Sequence, residues 1–390
     1  MEKERKIKEL LSRGVEEVID KKNLERRLRS GKRLRVKLGI DPTSPNLHLG
    51  RSIPLLKLKD FQELGHQVVF IIGDFTGIIG DASDKESERP MLSEEIVREN
   101  LKNYIKQASK IIDTEKAEIC YNSNWLGDLG YGEIGTQANI FSLNEFISRE
   151  NIKKRLEEGK RISLREVLYP LMQGYDSVMV KADVELGGTD QRFNLLTGRE
   201  MQRFYGQEPQ DMITNPLIEG LDGEKMSSSK GNTINLLDGP NDMFGKIMSL
   251  KDELIGRYFK LLTRVKSEEI NEYLEEAKST GNPRNAKLRL AHEIVSIYHS
   301  MEDAKKAEEY FINTFSRKET PKEVPELKPK SYEIISVLLE SGLVPSRSEA
   351  RRVIKQGGVK VEGETVKDFD LKVKPGTMVQ KGKINFLRVL

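Results

Sequence analysis

Cysteine and histidine are scarce in this chain of 390 residues. Its one cysteine, Cys120, excludes an intramolecular disulfide and a cysteine-rich zinc site. The four histidines leave little material for a histidine metal cluster. We therefore expect neither a bound metal nor a bound prosthetic group.

Long apolar runs are also missing. The N-terminal sequence MEKERKIKELL has no apolar core of the signal-peptide type and is too acidic for a transit peptide. No apolar run approaches the about 20 residues that span a bilayer. These absences predict a cytoplasmic protein.

Two common nucleotide-binding motifs are absent as well. The sequence contains no GxxxxGK[ST] phosphate loop and no GxGxxG that opens a helix after a strand. It therefore gives no support to a kinase-like or dinucleotide-dependent enzyme.

What is present is the composition of a globular protein, with 37% hydrophobic and 33% charged residues. The chain is too long for one compact core, which indicates two or three domains. Its net charge of +3 is nearly balanced, so any nucleic-acid surface must be a local patch.

Short apolar segments alternate with helical patterns before about residue 240. This alternation predicts an α/β, Rossmann-like domain whose parallel sheet is covered on both faces. In such a sheet the ligand lies beyond the carboxyl ends of the strands. The predicted strands are 35–40, 67–72, 117–121 and 183–187, and the predicted helices are 48–64, 164–181 and 191–204.

Changes in this pattern predict three domains. Residues 1–237 form the α/β domain, of which the first ~35 residues are expected to be helical. Residues 238–328 lack apolar strands and are expected to form a helical domain that ends in a Pro- and Lys-rich linker. Residues 329–390 form a small basic α+β unit.

Two segments carry residues suited to a nucleotide. After the first strand, 39–51 (GIDPTSPNLHLGR) leads into the first turn of a helix, where free N–H groups and the helix dipole favour phosphate. Far downstream, 220–231 (GLDGEKMSSSKG) places two lysines on a flexible turn that can close over a polyphosphate. Alone, the tripeptide HLG in the first segment occurs by chance in most proteins, and a serine-rich turn such as the second is usually only a solvated loop. Their order within an α/β domain strengthens both.

Together they resemble the HIGH and KMSKS motifs of class I aminoacyl-tRNA synthetases, and nearly the whole chain is similar to the bacterial tyrosyl-tRNA synthetase family. The resemblance implies that Thr43 and His48 stabilise the α-phosphate of ATP. Lys225 matches the first KMSKS lysine, and Lys230 is inferred from its reach to supply the second charge. The residues implied to bind ATP are Gly39, Asp41, Gly50, Arg51, Gly188, Asp190 and Ser228, of which Arg51 and Ser228 depart from the motifs.

The second site concerns the amino acid. Tyr169, Gln173 and Asp176 stand at i, i+4 and i+7, which places them on one helix face. By spacing alone, a core tyrosine with two solvated neighbours is equally compatible. The following turn, 187–191 (GGTDQ), favours a ligand site because it ends a predicted strand.

This pattern is similar to the tyrosine pocket of the same family. The resemblance implies that Asp176 accepts the phenolic hydroxyl and that Tyr169, Gln173 and Asp81 hold the α-ammonium, with Thr76 beside them. It further implies that Gln191 supports the carboxylate region and that Asn122 and Trp125 wall the ring. Lys37 stands where many members have a tyrosine that donates to the phenol oxygen.

A charged segment, 81–89 (DASDKESER), aligns with a mobile loop of the family. Lys85 and Arg89 are candidates to hold pyrophosphate in the transition state. A solvated run of charges is the alternative.

The C-terminal segment 335–372 resembles the S4 type of ribosomal RNA-binding domain. Leu338, Leu339 and Ile354 are expected in its core. Phosphate contact is the functional interpretation of its helical charges, and a solvated face is the alternative. The charges concerned are Arg347, Arg351, Arg352 and Lys355.

The sequence thus predicts a ligase that activates tyrosine with ATP, brought in with Mg²⁺, and transfers it to tRNA. A homodimer is implied by the family, with 138–146 (ANIFSLNEF) as a candidate interface. A tryptophan enzyme of the same class remains an alternative, against which Asp176 argues. A catalytically silent RNA-binding or regulatory paralogue is kept open by Arg51 and Ser228.

Overall fold

The structure, a computed structural model, describes residues 2–83, 87–88, 90–316, 324–382 and 385–390. The chain divides into two compact units, Met1–Ala304 and Lys305–Leu390. The predicted division of the first of these near residue 237 stays a prediction.

The larger unit contains a sheet whose strands are β1 (Glu17–Ile19), β2 (Arg35–Ile40), β3 (Gln67–Ile72), β4 (Glu118–Tyr121), β5 (Val184–Gly188) and β6 (Asp211–Asn215). Their order is β1-β6-β5-β2-β3-β4. All neighbours in this order run parallel except β1, which pairs with β6 in antiparallel fashion. The chain winds outward in both directions from β2, so the crevice between β2 and β5 is the expected place for a ligand.

Helices alternate with these strands and follow them along the chain. In chain order they are α1 (Glu2–Leu10), α2 (Lys21–Arg29), α3 (Leu49–Glu63), α4 (Asp74–Ile79), α5 (Glu94–Leu101), α6 (Tyr104–Ala108), α7 (Ser123–Leu126), α8 (Tyr131–Ala138), α9 (Leu143–Ile147), α10 (Glu150–Glu157), α11 (Leu164–Met179), α12 (Arg192–Phe204), α13 (Pro240–Met248), α14 (Ile255–Leu262), α15 (Ser267–Thr280), α16 (Arg284–Tyr298) and α17 (Met301–Phe311). Short 3₁₀ turns lie at Thr189–Gln191, Ser228–Lys230 and Asp252–Leu254, and a π-helical turn lies at Ile312–Ser316.

The central strand β3 forms because its residues are mostly apolar and β-branched. Val68–Ile72 is buried along its whole length, as expected for a parallel strand covered on both faces. The predictions for 35–40 and 67–72 are confirmed with the same bounds. The α/β, Rossmann-like fold class is confirmed.

The prediction that the first ~35 residues are helical was partly wrong. They contain α1 and α2, but β1 lies between them. Its residues Glu17–Ile19 pair with Met212–Thr214 of β6. A strand this short has no periodicity of its own and forms because it covers the edge of the sheet.

The helical character predicted after residue 240 is confirmed for residues 240–316. Some of these helices pack on the α/β part of the same unit. The Tyr298 hydroxyl lies 2.7 Å from the Ser52 hydroxyl of α3, and Arg264 donates to Asp60 of α3 at 2.7 Å.

The smaller unit has its own core. Its helices are α18 (Ile334–Glu340) and α19 (Arg347–Lys355), and its strands are β7 (Glu326–Leu327), β8 (Val359–Val361), β9 (Glu364–Thr365), β10 (Met378–Lys381) and β11 (Asn385–Val389), in the order β7-β11-β10-β8-β9. Leu338 and Ile354 lie in the core as predicted, whereas Leu339 is only partly buried against it.

Candidate functional site

A cavity of about 800 Å³ opens at the carboxyl ends of the parallel strands. It takes residues from the ends of β2, β5 and β6, from the start of α3, from α11 and from the loop after β6. The predicted site residues that line it are Gly39, Asp41, Thr43, His48, Gly50, Arg51, Thr76, Asp81, Asn122, Tyr169, Gln173, Asp176, Gly188, Asp190, Gln191, Lys225 and Ser228. The two predicted sites are therefore parts of one cavity.

Three predicted site residues in the described part of this unit are not among those that line the cavity; one is Trp125, whose indole N–H donates to Asp176. Lys37 is fully buried and, among the described residues, is not part of the lining. Lys230 is also outside the lining; it is half exposed, and its Nζ lies 3.8 Å from the Glu224 carboxylate. Lys85 and Arg89 lie outside the described residues.

Asp176 lies in the wall of the cavity on α11 and is only 4% exposed. One carboxylate oxygen accepts a hydrogen bond from the Trp125 indole at 2.8 Å, and the other accepts one from the Asn122 amide at 3.3 Å. Burial raises the pKa of Asp176 to about 7, against the lowering by the Lys37 charge and these hydrogen bonds. A carboxylate with this environment suits a single hydroxyl or N–H donor on a ligand.

Asp41 links three elements beside it. It accepts hydrogen bonds from the Tyr169 hydroxyl at 2.7 Å and from the Thr76 hydroxyl at 2.7 Å. Burial, followed by the nearby Asp41 charge, raises the pKa of Tyr169, which stays protonated as a donor. A Cβ atom at Gly73 would collide with the Asp41 carboxylate and the Thr76 hydroxyl, so a larger residue there would displace both groups.

Three side-chain amides form a second network. Asn194 on α12 donates to the Gln173 side-chain oxygen at 3.0 Å and to that of Gln191 at 3.1 Å. Gln191 in turn donates to Asp81 at 2.6 Å. The sequence did not single out Asn194, because an asparagine within a helical pattern carries no distinctive spacing.

Lys37 makes a buried ion pair behind this wall. Its Nζ lies 2.9 Å from the Glu185 carboxylate on β5 and also donates to the Ser177 hydroxyl and the Gln173 backbone carbonyl. Glu185 was missed by the sequence reasoning. Its signal was a carboxylate inside an otherwise apolar strand.

His48 forms the N-cap of α3 on the other side of the cavity. Its Nδ1 is buried and has no hydrogen-bond partner among the residues that the structure describes. Burial, followed by the charges of Arg51 and Lys225, lowers the pKa of His48 to about 3, so the imidazole is neutral. A Cβ at Gly50 would lie 3.0 Å from Nδ1, so glycine keeps room for the ring.

Arg51 joins two atoms of the turn after β2. It donates to the Asp41 carbonyl at 2.9 Å and to the Thr43 hydroxyl at 3.0 Å. Because arginine is a donor only, the Thr43 hydroxyl must direct its own hydrogen elsewhere. Thr43 is thereby prepared to donate toward an anionic ligand.

The serine-rich loop, residues 220–231 after β6, covers the side of the cavity formed by the start of α3. Lys225 pairs with Asp190 at 3.0 Å, and the Ser228 hydroxyl lies 3.3 Å from that of Ser44. The Gly50 backbone N–H points at the Met226 sulfur at 3.3 Å. These contacts hold the loop against the start of α3.

The basic residues of the smaller unit that are predicted to contact RNA lie on α19. Arg347, Arg351, Arg352 and Lys355 are exposed. Arg352 makes two hydrogen bonds to Glu349, at 2.8 and 2.7 Å. Exposure makes all four accessible to a phosphate backbone.

Comparison with protein families gives two matches. Residues 29–316 match the model of tRNA synthetases class I (W and Y), and residues 334–379 match the S4 domain. The first match covers more than half of the chain and includes every residue that lines the cavity.

Individual proteins are also similar over nearly the whole length. The tyrosine–tRNA ligase of Mannheimia succiniciproducens is 47% identical over 382 residues, covering 97% of each chain. That of Thermotoga maritima is 46% identical over 385 residues, covering 97% of this chain and 96% of its own. Among solved structures, the tyrosyl-tRNA synthetase of Archaeoglobus fulgidus complexed with L-tyrosine has a TM-score of 0.62 at 24% identity, over 78% of this chain and 99% of its own.

Proposed function

The chain belongs to the class I tRNA synthetases of the tryptophan and tyrosine family, and we propose that it is a tyrosine–tRNA ligase. Tyrosine reacts with ATP to give tyrosyl-adenylate and pyrophosphate. The tyrosyl group then passes to the 3′ end of the tRNA for tyrosine.

One observation carries the choice of tyrosine. Asp176 presents a buried carboxylate that already accepts from Trp125 and Asn122 and has further lone pairs for a phenolic hydroxyl. Phenylalanine offers no donor, so its binding would leave this buried group with an unmet hydrogen bond. The quoted relatives with 46% and 47% identity are both tyrosine–tRNA ligases, which supports tyrosine over tryptophan.

The polar networks next to Asp176 suit the amino-acid head group. We assign the α-ammonium to Tyr169, Gln173 and Asp81, and the carboxylate region to Gln191. Asn194 and Asp81 fix the Gln191 amide, so its position is set before tyrosine binds. The full proposed tyrosine set is Thr76, Asp81, Asn122, Tyr169, Gln173, Asp176 and Gln191, without Lys37, which does not line the cavity.

The nucleotide lies toward α3 and the serine-rich loop in this proposal. A Cβ at Gly39 would meet no atom within 4 Å, which leaves backbone accessible to a flat base. The proposed ATP-binding set is Gly39, Asp41, Gly50, Arg51, Gly188, Asp190 and Ser228. Asp41 also belongs to the tyrosine side, since its carboxylate contacts Tyr169 and Thr76.

Activation needs no general base. The carboxylate of tyrosine has a pKa of about 3.5 and is already ionised near neutral pH. One of its oxygens attacks the α-phosphorus, and the bond to the bridging oxygen of pyrophosphate breaks. The protein contributes position and charge complementary to the phosphate as it becomes five-coordinate. We assign this contribution to Thr43, His48, Lys225, Lys230, Lys85 and Arg89.

Neutral His48 fits such a role. Its lowered pKa means that it acts as a hydrogen-bond donor and not as a proton donor. Mg²⁺ enters with ATP, and such ions are held mainly by substrate phosphates and one or two carboxylates. Within the described ranges, no three acidic, cysteine or histidine side chains converge to hold a metal ion by themselves.

Transfer requires tRNA, for which we propose the S4 unit and its residues Arg347, Arg351, Arg352 and Lys355. We also propose a homodimer that uses 138–146, and a cytoplasmic location. None of the helices in the described part of the chain combines the length and apolar character that a bilayer crossing requires.

The decisive test is amino-acid-dependent exchange of labelled pyrophosphate into ATP by the purified chain. We expect exchange with tyrosine and much less with tryptophan or phenylalanine. Faster exchange with tryptophan would support the related tryptophan enzyme. Absence of exchange with every amino acid would support a silent RNA-binding paralogue.

A further inference from the structure

The ion pair between Lys37 on β2 and Glu185 on β5 is completely enclosed. The two residues are 0% and 1% exposed, and Nζ lies 2.9 Å from Oε1. The three ammonium hydrogens have three acceptors, which are Glu185, the Ser177 hydroxyl and the Gln173 carbonyl. The pair lies behind the cavity wall, and neither residue lines the cavity.

Stability alone is a weak explanation for this pair. Desolvation of two charges offsets most of their attraction, and apolar replacements of a buried pair are often neutral or stabilising. Uncharged side chains of similar size would fill the same space between β2, β5 and α11. The contacts of the pair with residues that do line the cavity therefore suggest a functional role.

The first such contact is with Gln173. Glu185 accepts a hydrogen bond from the Gln173 side-chain amide at 3.1 Å, while Lys37 donates to the Gln173 backbone carbonyl at 3.0 Å. Asn194 donates to the Gln173 side-chain oxygen. The Gln173 amide is thus fixed in one orientation, with its oxygen as the acceptor available to an ammonium group.

The second influence is on Asp176, one helical turn further along α11. Burial raises the pKa of Asp176, the Lys37 charge lowers it, and the Glu185 charge raises it by less. Other titratable groups that interact with Asp176 are Cys120 on β4 and Tyr169 on α11. Lys37 is the cation among these groups.

We propose that Lys37 and Glu185 are positioning residues for tyrosine, which act through Gln173 on the ammonium end and through Asp176 on the phenol end. The inference rests on the proposed function and deepens it. Lys37 then acts from behind the pocket wall and does not touch the phenol.

The test uses a charge-balanced variant of the full chain, Lys37→Met with Glu185→Gln. It removes both charges and keeps the approximate volume. We expect the KM for tyrosine in pyrophosphate exchange to rise about tenfold, because a charge-assisted hydrogen bond that orients Gln173 is lost. The KM for ATP should stay within about twofold. The acid limb of kcat/KM for tyrosine should move up by about one pH unit, since the net effect of both removals is a higher pKa of Asp176.

A matched control removes another enclosed ion pair, between Arg155 on α10 and Glu166 on α11, whose side chains are 1% and 0% exposed. Glu166 is ten residues before Asp176, about 15 Å along α11. Arg155→Met with Glu166→Gln should lower thermal stability without moving the pH profile. The same pH dependence of kcat/KM for tyrosine in the two double variants would overturn the inference.

If the variant with Lys37→Met and Glu185→Gln does not fold, a single substitution tests the same inference. Ser177→Ala removes the hydroxyl that accepts from Lys37 and donates to Glu185 at 3.0 Å. A smaller increase in the KM for tyrosine is expected, and an unchanged KM would contradict the inference. Failure of the proposed function is distinct, because the native chain itself would then show no exchange with tyrosine.

Discussion

Burial of Asp176 brings the titration of its carboxyl group close to neutral pH. Its pKa of about 7 is above the usual range, so the carboxylate gains its proton as the pH falls through 7. A charged acceptor makes a stronger hydrogen bond than a neutral one. We therefore expect kcat/KM for tyrosine to fall as the pH is lowered through this value.

Asp176→Asn removes that titration. We expect the acid limb to disappear and discrimination against phenylalanine to fall by about ten- to a hundredfold, which is the effect of mismatching one buried polar group. Pyrophosphate exchange with both amino acids, on both sides of pH 7, measures these changes. Unaltered discrimination would show that another residue recognises the phenol.

Arg51 offers a second prediction at this scale. Its guanidinium reaches both the Asp41 carbonyl and the Thr43 hydroxyl, a geometry that the single ammonium of lysine cannot reproduce. Arg51→Lys should slow adenylate formation about tenfold through the loss of one charge-assisted hydrogen bond. The affinity for tyrosine should be nearly unchanged. Single-turnover formation of the adenylate tests this, and a native rate would contradict it.

Residues within one sequence window were the predictable part of the site. The spacing of Tyr169, Gln173 and Asp176 was visible because one helix carries all three. Lys37 and Glu185 are 148 residues apart, so no local pattern could pair them. The sequence nonetheless shows a lysine and a glutamate inside predicted strands. A charge buried in a strand requires a partner, which here lies on the neighbouring strand.

Elements were predictable for a similar reason. Val68–Ile72 is a continuous apolar run, and Arg35–Ile40 carries apolar residues at alternate positions (Val36, Leu38 and Ile40), so the burial of both strands can be inferred from composition. Glu17–Ile19 and Asp211–Asn215 were not predicted as strands. Each is short, and their mutual pairing spans about half of the chain, which a local pattern does not reveal.

The helix α19 supports a prediction about RNA. Arg347, Arg351 and Lys355 recur every four residues and are exposed. Replacing all three by glutamine should weaken tRNA charging. The slope of the logarithm of the tRNA binding constant against the logarithm of salt concentration should become shallower by about 0.7–0.9 for each phosphate contact that is lost. Tyrosine-dependent pyrophosphate exchange should be unchanged.

Arg352→Gln is the control for that experiment. Its guanidinium already makes two hydrogen bonds to Glu349, so it has less capacity for phosphate. We expect a smaller effect than that of the triple variant. Equal tRNA binding by the native chain and the triple variant would exclude this face of α19 from RNA recognition.

At the scale of the molecule, the cavity and the helix proposed to contact tRNA belong to different units. Every residue that lines the cavity belongs to the unit Met1–Ala304, whereas α19 belongs to Lys305–Leu390. A chain shortened to residues 1–316 should keep tyrosine activation and lose most tRNA charging.

Both activities of the shortened chain can be measured side by side. Pyrophosphate exchange within about twofold of the full chain is expected, together with a large fall in tRNA aminoacylation. Thermal unfolding establishes that the shortened chain is folded. Undiminished aminoacylation would mean that the S4 unit contributes little to binding of this tRNA.

The ion pair between Lys225 and Asp190 gives the nucleotide a competitor inside the protein. If the ribose takes Asp190 and the phosphates take Lys225, ATP must first separate two groups that already satisfy each other. The measured binding free energy of ATP is then the free energy of its contacts with these residues minus that of the Lys225–Asp190 ion pair, which is lost. Added salt screens both the Lys225–Asp190 ion pair and the contacts that replace it when ATP binds. The Kd for ATP should therefore depend on ionic strength less than it would if these two residues had no ion pair to give up.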